Sequence, residues 1–118
     1  MTDRAKPRIL CVSVSSLKLA QTCAALPTRQ YEALSASTPE QAVAACATNN
    51  IAAVVLDSQF STAHGCTLAQ AFKAVNPHVP IILLERGHNG DIPGGVDAVA
   101  TTREIMLKKL AALVKVSR

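Results

Sequence analysis

Apolar residues fall into short runs separated by longer amphipathic stretches, and the two alternate along the chain. Ile51 to Asp57 (IAAVVLD) is the clearest run, small and branched apolar residues that stop on an acid before the turn-like stretch SQFSTAHG. A run of this length with no polar position inside reads as a strand buried on both faces, as in a parallel sheet with helices on each side. Arg8 to Val14 (RILCVSV) and Val79 to Leu84 (VPIILL) share that character. Asp97 to Ala100 is a shorter version, and Tyr31 to Ala36 is more polar, as an edge strand would be.

The intervening stretches carry helix signals. Ser15 or Ser16 can cap a helix in which Leu19, Cys23 and Leu26 share a face before Pro27 stops it. Thr38, Pro39 and Gln41 supply a capping hydroxyl, a proline at the first helical position and a glutamine placed to return a capping box; that helix should end at Asn49 and Asn50. Leu68, Ala71, Phe72 and Val75 mark the inner stripe of a third helix, ended by Asn76 and Pro77. Thr101 with Glu104 opens the last, with Met106, Leu110 and Leu113 inward and Lys108, Lys109 and Lys115 outward.

Strand and helix thus alternate, which predicts an α/β fold: a three-layer, doubly wound, five-stranded parallel sheet with right-handed crossovers. One interval breaks the pattern. ERGHNGDIPGGV, between Leu84 and Asp97, is rich in glycine and has no helical stripe, so the fourth helix is expected to be shortened or replaced by a Gly/Pro loop. Such a loop is a candidate contact surface.

Composition narrows the function classes. With 118 residues the chain is read as one domain, residues 1–118, with 1–7 as an N-terminal arm. Tyr31, Phe60 and Phe72 are the only aromatics, which argues against stacking platforms for single-stranded nucleic acid. The net charge is +4, and the cations gather at the two ends; they read as a solvated helix face and a solubilising tail in preference to a patch for nucleic acid or an acidic protein surface. No run approaches a membrane span and none follows Met1 as a signal-peptide core, so a cytoplasmic protein is expected. Cys11, Cys23, Cys46 and Cys66 lack C-x-x-C spacing and read as reduced structural thiols, and His64, His78 and His88 lack ligand spacing, so no metal site is expected from them.

Five βα units, an acid ending the third strand, Gly65 spaced after it, VPIILL as the fourth strand and GVDAVAT around the fifth together resemble the receiver domain of bacterial response regulators. The resemblance covers Arg8 to about Val116 and implies a flavodoxin-like sheet of strand order 2-1-3-4-5. In an active receiver the central aspartate takes up a phosphoryl group with help from a magnesium ion and fixed donors. Asp57 matches the phosphoacceptor and the carbonyl of Gln59 matches the backbone metal ligand.

The rest of that pocket is altered. The family's acidic pair falls at Ser13 and Val14, and no carboxylate occurs between Asp3 and Glu32. The hydroxyl ending the fourth strand falls at Glu85, whose charge would repel a phosphoryl group, and the lysine after the fifth strand falls at Thr102. Arg86 and Arg103 are the nearby cations that could contact an anion instead.

The resemblance with these departures implies a degenerate receiver in a two-component pathway. It would act by phosphorylation-independent contact with a protein partner, a histidine kinase or a downstream regulator, through Gly87, His88, Asn89 and Gly90 together with Lys108, Lys109 and Lys115. On this reading the chain is not an enzyme, needs no cofactor and leaves a homodimer open. The alternative is a working phosphoacceptor on Asp57 in a phosphorelay, which would require Mg2+. A third reading, a small phosphotransfer protein using Cys11, suffers from the lack of a phosphate loop in VSVSSLK.

Overall fold

The computed structural model describes residues 7–13, 16–27, 29–48, 50–57, 65–84 and 96–114. Within these the order is β1 (Arg8–Val12), α1 (Ser16–Ala25), β2 (Glu32–Ala36), α2 (Pro39–Thr48), β3 (Ile51–Asp57), α3 (Gly65–Val75), β4 (Ile81–Leu84), β5 (Ala98–Ala100) and α4 (Arg103–Leu113). The strands form one parallel sheet in the order β2-β1-β3-β4-β5. Both the expected parallel architecture and the strand order are present, with the polar run at one edge.

Alternation along the strands builds two cores. Leu10, Val12, Val54, Leu56, Ile81 and Leu83 face Ala42 and Cys46 of α2 and Phe72 of α3. Ile9, Cys11, Ala53, Val55 and Ile82 pack with Leu26 after α1 and with Met106 and Leu110 of α4. The central strands are therefore apolar on both faces, the reason their sequences read as unbroken runs.

Strand ends differ from expectation for local reasons. Tyr31 belongs to a turn, its N–H donating to the Pro27 carbonyl at 2.9 Å, so β2 begins one residue later. Pro80 has no N–H for the ladder, and β4 starts after it, although the Pro80 carbonyl still accepts from Val54 N–H at 2.9 Å. β1 stops at Val12 rather than Val14, which lies outside the described residues.

Helix signals mostly hold. Thr38 Oγ1 accepts from Gln41 N–H at 3.1 Å, but Gln41 Oε1 returns to the N–H of Ser37 at 3.2 Å, one residue earlier than a standard capping box. The expected Thr101 cap is instead Thr102, whose hydroxyl accepts from Ile105 N–H at 3.2 Å. Thr101 is half-buried where the chain leaves β5, so the helix begins one residue further on. Two inward assignments are corrected: Val75 is 44% exposed and Leu113 is 37% exposed, both on the last residue of a helix, and Val114 is buried in place of Leu113. Residues 85–95, the expected Gly/Pro loop, lie outside the described residues. Among the described residues no helix is long and apolar enough to cross a membrane.

Candidate functional site

The parallel register brings the predicted site positions to one edge. Val12 pairs with Ala36 on one side and Leu56 on the other, so Ser13 and Asp57 follow side by side at the carboxyl ends of β1 and β3. Asp57 pairs with Leu84, and Leu84 with Ala100, so this edge continues to the chain leaving β5. In open α/β sheets ligands bind at this edge, and β1 and β3 flank the point where the strand order reverses.

Ser13 is 2% exposed, and its N–H donates to the Ala36 carbonyl at 3.2 Å, extending the β1–β2 pairing by one bond. At the far end of the edge, the Thr102 hydroxyl is engaged with Ile105 N–H as the cap of α4, while Arg103, Lys108 and Lys109 are exposed on that helix. The side chain of Asp57 and residues Val14, Gln59, Glu85, Arg86, Gly87, His88, Asn89, Gly90 and Lys115 lie outside the described residues. The sheet therefore brings Ser13, Asp57 and the exit of β5 to one edge, with the exposed cations farther along α4.

Three solved structures align over almost the whole chain. A CheY-like response regulator receiver domain protein from Methanospirillum hungatei JF-1 matches at 20% identity and a TM-score of 0.77, over 92% of this chain and 93% of that one. The chemotaxis protein CheY4 of Vibrio cholerae matches at 17% identity and a TM-score of 0.80, over 93% and 100%. Response regulator TrrA of Thermotoga maritima, solved in complex with Mg2+-BeF, matches at 21% and 0.78, over 92% and 99%. The chain has the receiver fold. No protein-family model and no curated protein matches it in sequence.

Among the described residues, the donors at this edge do not make up the ligand set for the magnesium ion that the resemblance implies. Magnesium takes hard oxygen ligands, including one or two carboxylates, and here β1 is followed by the buried hydroxyl of Ser13 with no carboxylate between Asp3 and Glu32. Among the described residues no group of three or more His, Cys, Asp or Glu could hold a metal ion.

Two clusters escaped the sequence reading. Asp97 Oδ2 accepts from Lys73 Nζ and from Ile81 N–H, each at 2.8 Å, and Lys73 Nζ also donates to the Val79 carbonyl at 2.8 Å. This clamp ties α3, β4 and β5 together at the edge opposite the site, through partners 24 residues apart that no local pattern links. The other is the pair of free thiols on Cys11 in β1 and Cys23 in α1, which belong to the same core on one face of the sheet. Hydrogen bonding from Cys11 holds the Cys23 thiol down to about 7, against the opposing effect of partial burial. The same bond, burial and the Cys23 charge push the Cys11 thiol up. Fully buried and held protonated, Cys11 is a poor nucleophile for phosphotransfer, which counts against the third reading.

Proposed function

We propose that this chain is a receiver-type signalling module that works by protein–protein contact without taking up a phosphoryl group, and that it is not an enzyme. The observation that carries this reading is the donor set at the carboxyl edge. Ser13 stands where the resemblance calls for an acid, and Thr102 stands where it calls for a lysine and uses its hydroxyl to cap α4. Charge neutralisation by a metal and a fixed cation is what receiver phosphorylation rests on, and the acidic pair and the lysine that the resemblance calls for are replaced at their positions by Ser13, Val14 and Thr102.

Binding falls to exposed surface. α4 presents Arg103, Lys108 and Lys109 to solvent, together with Ala111, Ala112 and Leu113, a basic face with an apolar end suited to an acidic patch on a kinase or downstream regulator. Asp57 is retained as a strand-end acid on this reading. The competing reading, a phosphoacceptor, draws support from Asp57 ending β3 and from the likeness to TrrA, which was solved with Mg2+-BeF.

An amide-resolved NMR titration with magnesium and then beryllofluoride separates the two. Unchanged resonances around Asp57 and Ser13, and an Asp57→Asn variant that keeps partner binding and stability, are the expected results. Saturating shifts centred on Asp57 at millimolar magnesium would replace this proposal with the phosphoacceptor reading.

A further inference from the structure

The two edges of the sheet differ. β5 exposes none of its residues: Ala98 and Ala100 are buried and Val99 is half-buried. β2, at the other edge, exposes Glu32, Ala33 and Ser35. Glu32 N–H donates to the Pro7 carbonyl at 2.9 Å, and the Ala36 carbonyl accepts from Ser13 N–H at 3.2 Å. With the parallel register, these bonds turn the peptide groups of Glu32, Leu34 and Ala36 toward β1. Ala33 and Ser35 alternate with them and turn their N–H and C=O groups away from the sheet. The strand has no proline, no lysine and no shift of register against β1, the usual guards of an open edge. Its one charge, Glu32, pairs with Arg8 of the same chain at 3.4 Å.

We propose that β2 is a self-pairing edge: two copies of this chain join antiparallel through Ala33 and Ser35, across a two-fold axis at Leu34, into one continuous sheet. In this register Ala33 of one copy lies opposite Ser35 of the other, and each such pair exchanges both N–H···O=C bonds. The two outward residues of each copy meet the same two residues of its mate, so their two donors apiece make four hydrogen bonds and no outward group is left over. The charges beside the strand select this arrangement. Exposed Arg29 precedes β2, and exposed Glu40 follows it in the first turn of α2. Antiparallel pairing about Leu34 sets position 29 against position 39, so the cation of each copy approaches the acid of the other. Parallel pairing would set Arg29 beside Arg29 and Glu40 beside Glu40.

The helices beside β2 fit the same join. α1 and α2 lie on opposite faces of the sheet, and each touches both β1 and β2. A two-fold axis perpendicular to the sheet puts α1 next to α1 of the other copy, and α2 next to α2. With strands about 4.8 Å apart, two helices that each lie over their own β1–β2 pair stand about 10 Å apart, a distance at which helices pack. The exposed residues described on α1 are uncharged, with Leu17 at 69% among them, and those on α2 after Glu40 are uncharged too, with Ala44 and Ala47. The exposed cations Arg103, Lys108 and Lys109 belong to α4, which lies over β4 and β5, away from the join. The dimer therefore leaves the α4 face of both copies open, and the inference does not depend on the proposed function.

Light scattering after size exclusion, on the full chain from micromolar to millimolar concentration, reads the mass, and amide hydrogen exchange reads the edge. The expected result is a monomer–dimer equilibrium in which the Ala33 and Ser35 amides become protected as the dimer forms. Ser35→Pro removes a donor that the monomer turns outward, a position where an edge strand tolerates proline, so the ladder to β1 is kept. It should weaken the dimer about thirtyfold, through two lost hydrogen bonds per dimer. Arg29→Glu and Glu40→Arg should each weaken the dimer and together restore it, with circular dichroism confirming each fold; a double variant no better than either single one would overturn the antiparallel register. A wild-type chain that stays monomeric at every concentration would overturn the proposal, including the case in which β2 pairs only with a strand of another protein. So would a wild-type dimer whose Ala33 and Ser35 amides exchange as fast as in the monomer, whatever the variants do.

Discussion

Replacing Asp97 with alanine tests whether one carboxylate holds three elements together. Its Oδ2 accepts from Ile81 N–H and Lys73 Nζ, both at 2.8 Å, while its own N–H bonds the Ile81 carbonyl at 2.8 Å and survives the substitution. A hydrogen bond to a charged acceptor is worth about 1.5–3 kcal/mol. The ion pair adds only about 0–1 kcal/mol, because the Lys73 and Asp97 side chains are 28% and 37% exposed and screened by water. Asp97→Ala should therefore destabilise by about 2–3 kcal/mol, and Asp97→Asn, which keeps an oxygen for Ile81 N–H, by about 1 kcal/mol. At roughly 4 °C per kcal/mol the alanine variant should melt about 10 °C lower. Urea unfolding followed by circular dichroism should show a lower midpoint at unchanged slope, since the surface exposed on unfolding is the same. High salt should erase only the ion-pair share. An alanine variant within about 0.5 kcal/mol of wild type, the ordinary range for surface substitutions, would refute the clamp. Asparagine as damaging as alanine would show that charge, not the Ile81 bond, does the holding.

Thr102→Ala should cost about 1 kcal/mol through the lost cap of α4 and leave the response to magnesium unchanged, measured by urea unfolding and by the NMR titration above. Stability should fall as pH rises past about 9: burial shifts the ionisation of Cys46, and of Tyr31 further up, to higher pH, while that of Cys11 is pushed up by hydrogen bonding to Cys23 and by burial. Above the unfolded values the native state then holds more protons than the unfolded chain, so the slope of stability against pH is negative. Cys23 acts in the opposite sense, adding stability between about pH 7 and 9 that is absent below its native value. Urea midpoints across pH 6 to 11, with Cys23→Ser flattening the lower part of the curve, check both signs.

The sheet was legible because its strands are buried on both sides. Val54 and Val55 face opposite layers, yet both are apolar, so IAAVVLD marks a central strand without any partner in view. What local pattern could not carry was anything that depends on packing across the chain. Cys11 and Cys23 read as separate structural thiols, since no spacing rule joins them; they share one core because α1 folds back on β1. Val75 and Leu113 fit a helical stripe and yet stand exposed, because the last residue of a helix has no following turn to hold it against the sheet. At the candidate site the sequence placed Ser13 and Asp57 at neighbouring strand ends, and the register does so; it gave no sign that the Thr102 hydroxyl would be engaged as a cap in place of Thr101.

A receiver that takes up no phosphoryl group has to obtain any switching energy elsewhere, since a ligand shifts an equilibrium only by its differential affinity for the two states. Moving a population from 1:99 to 99:1 takes about 5.5 kcal/mol. Contact with a partner supplies that only when the partner prefers one arrangement strongly.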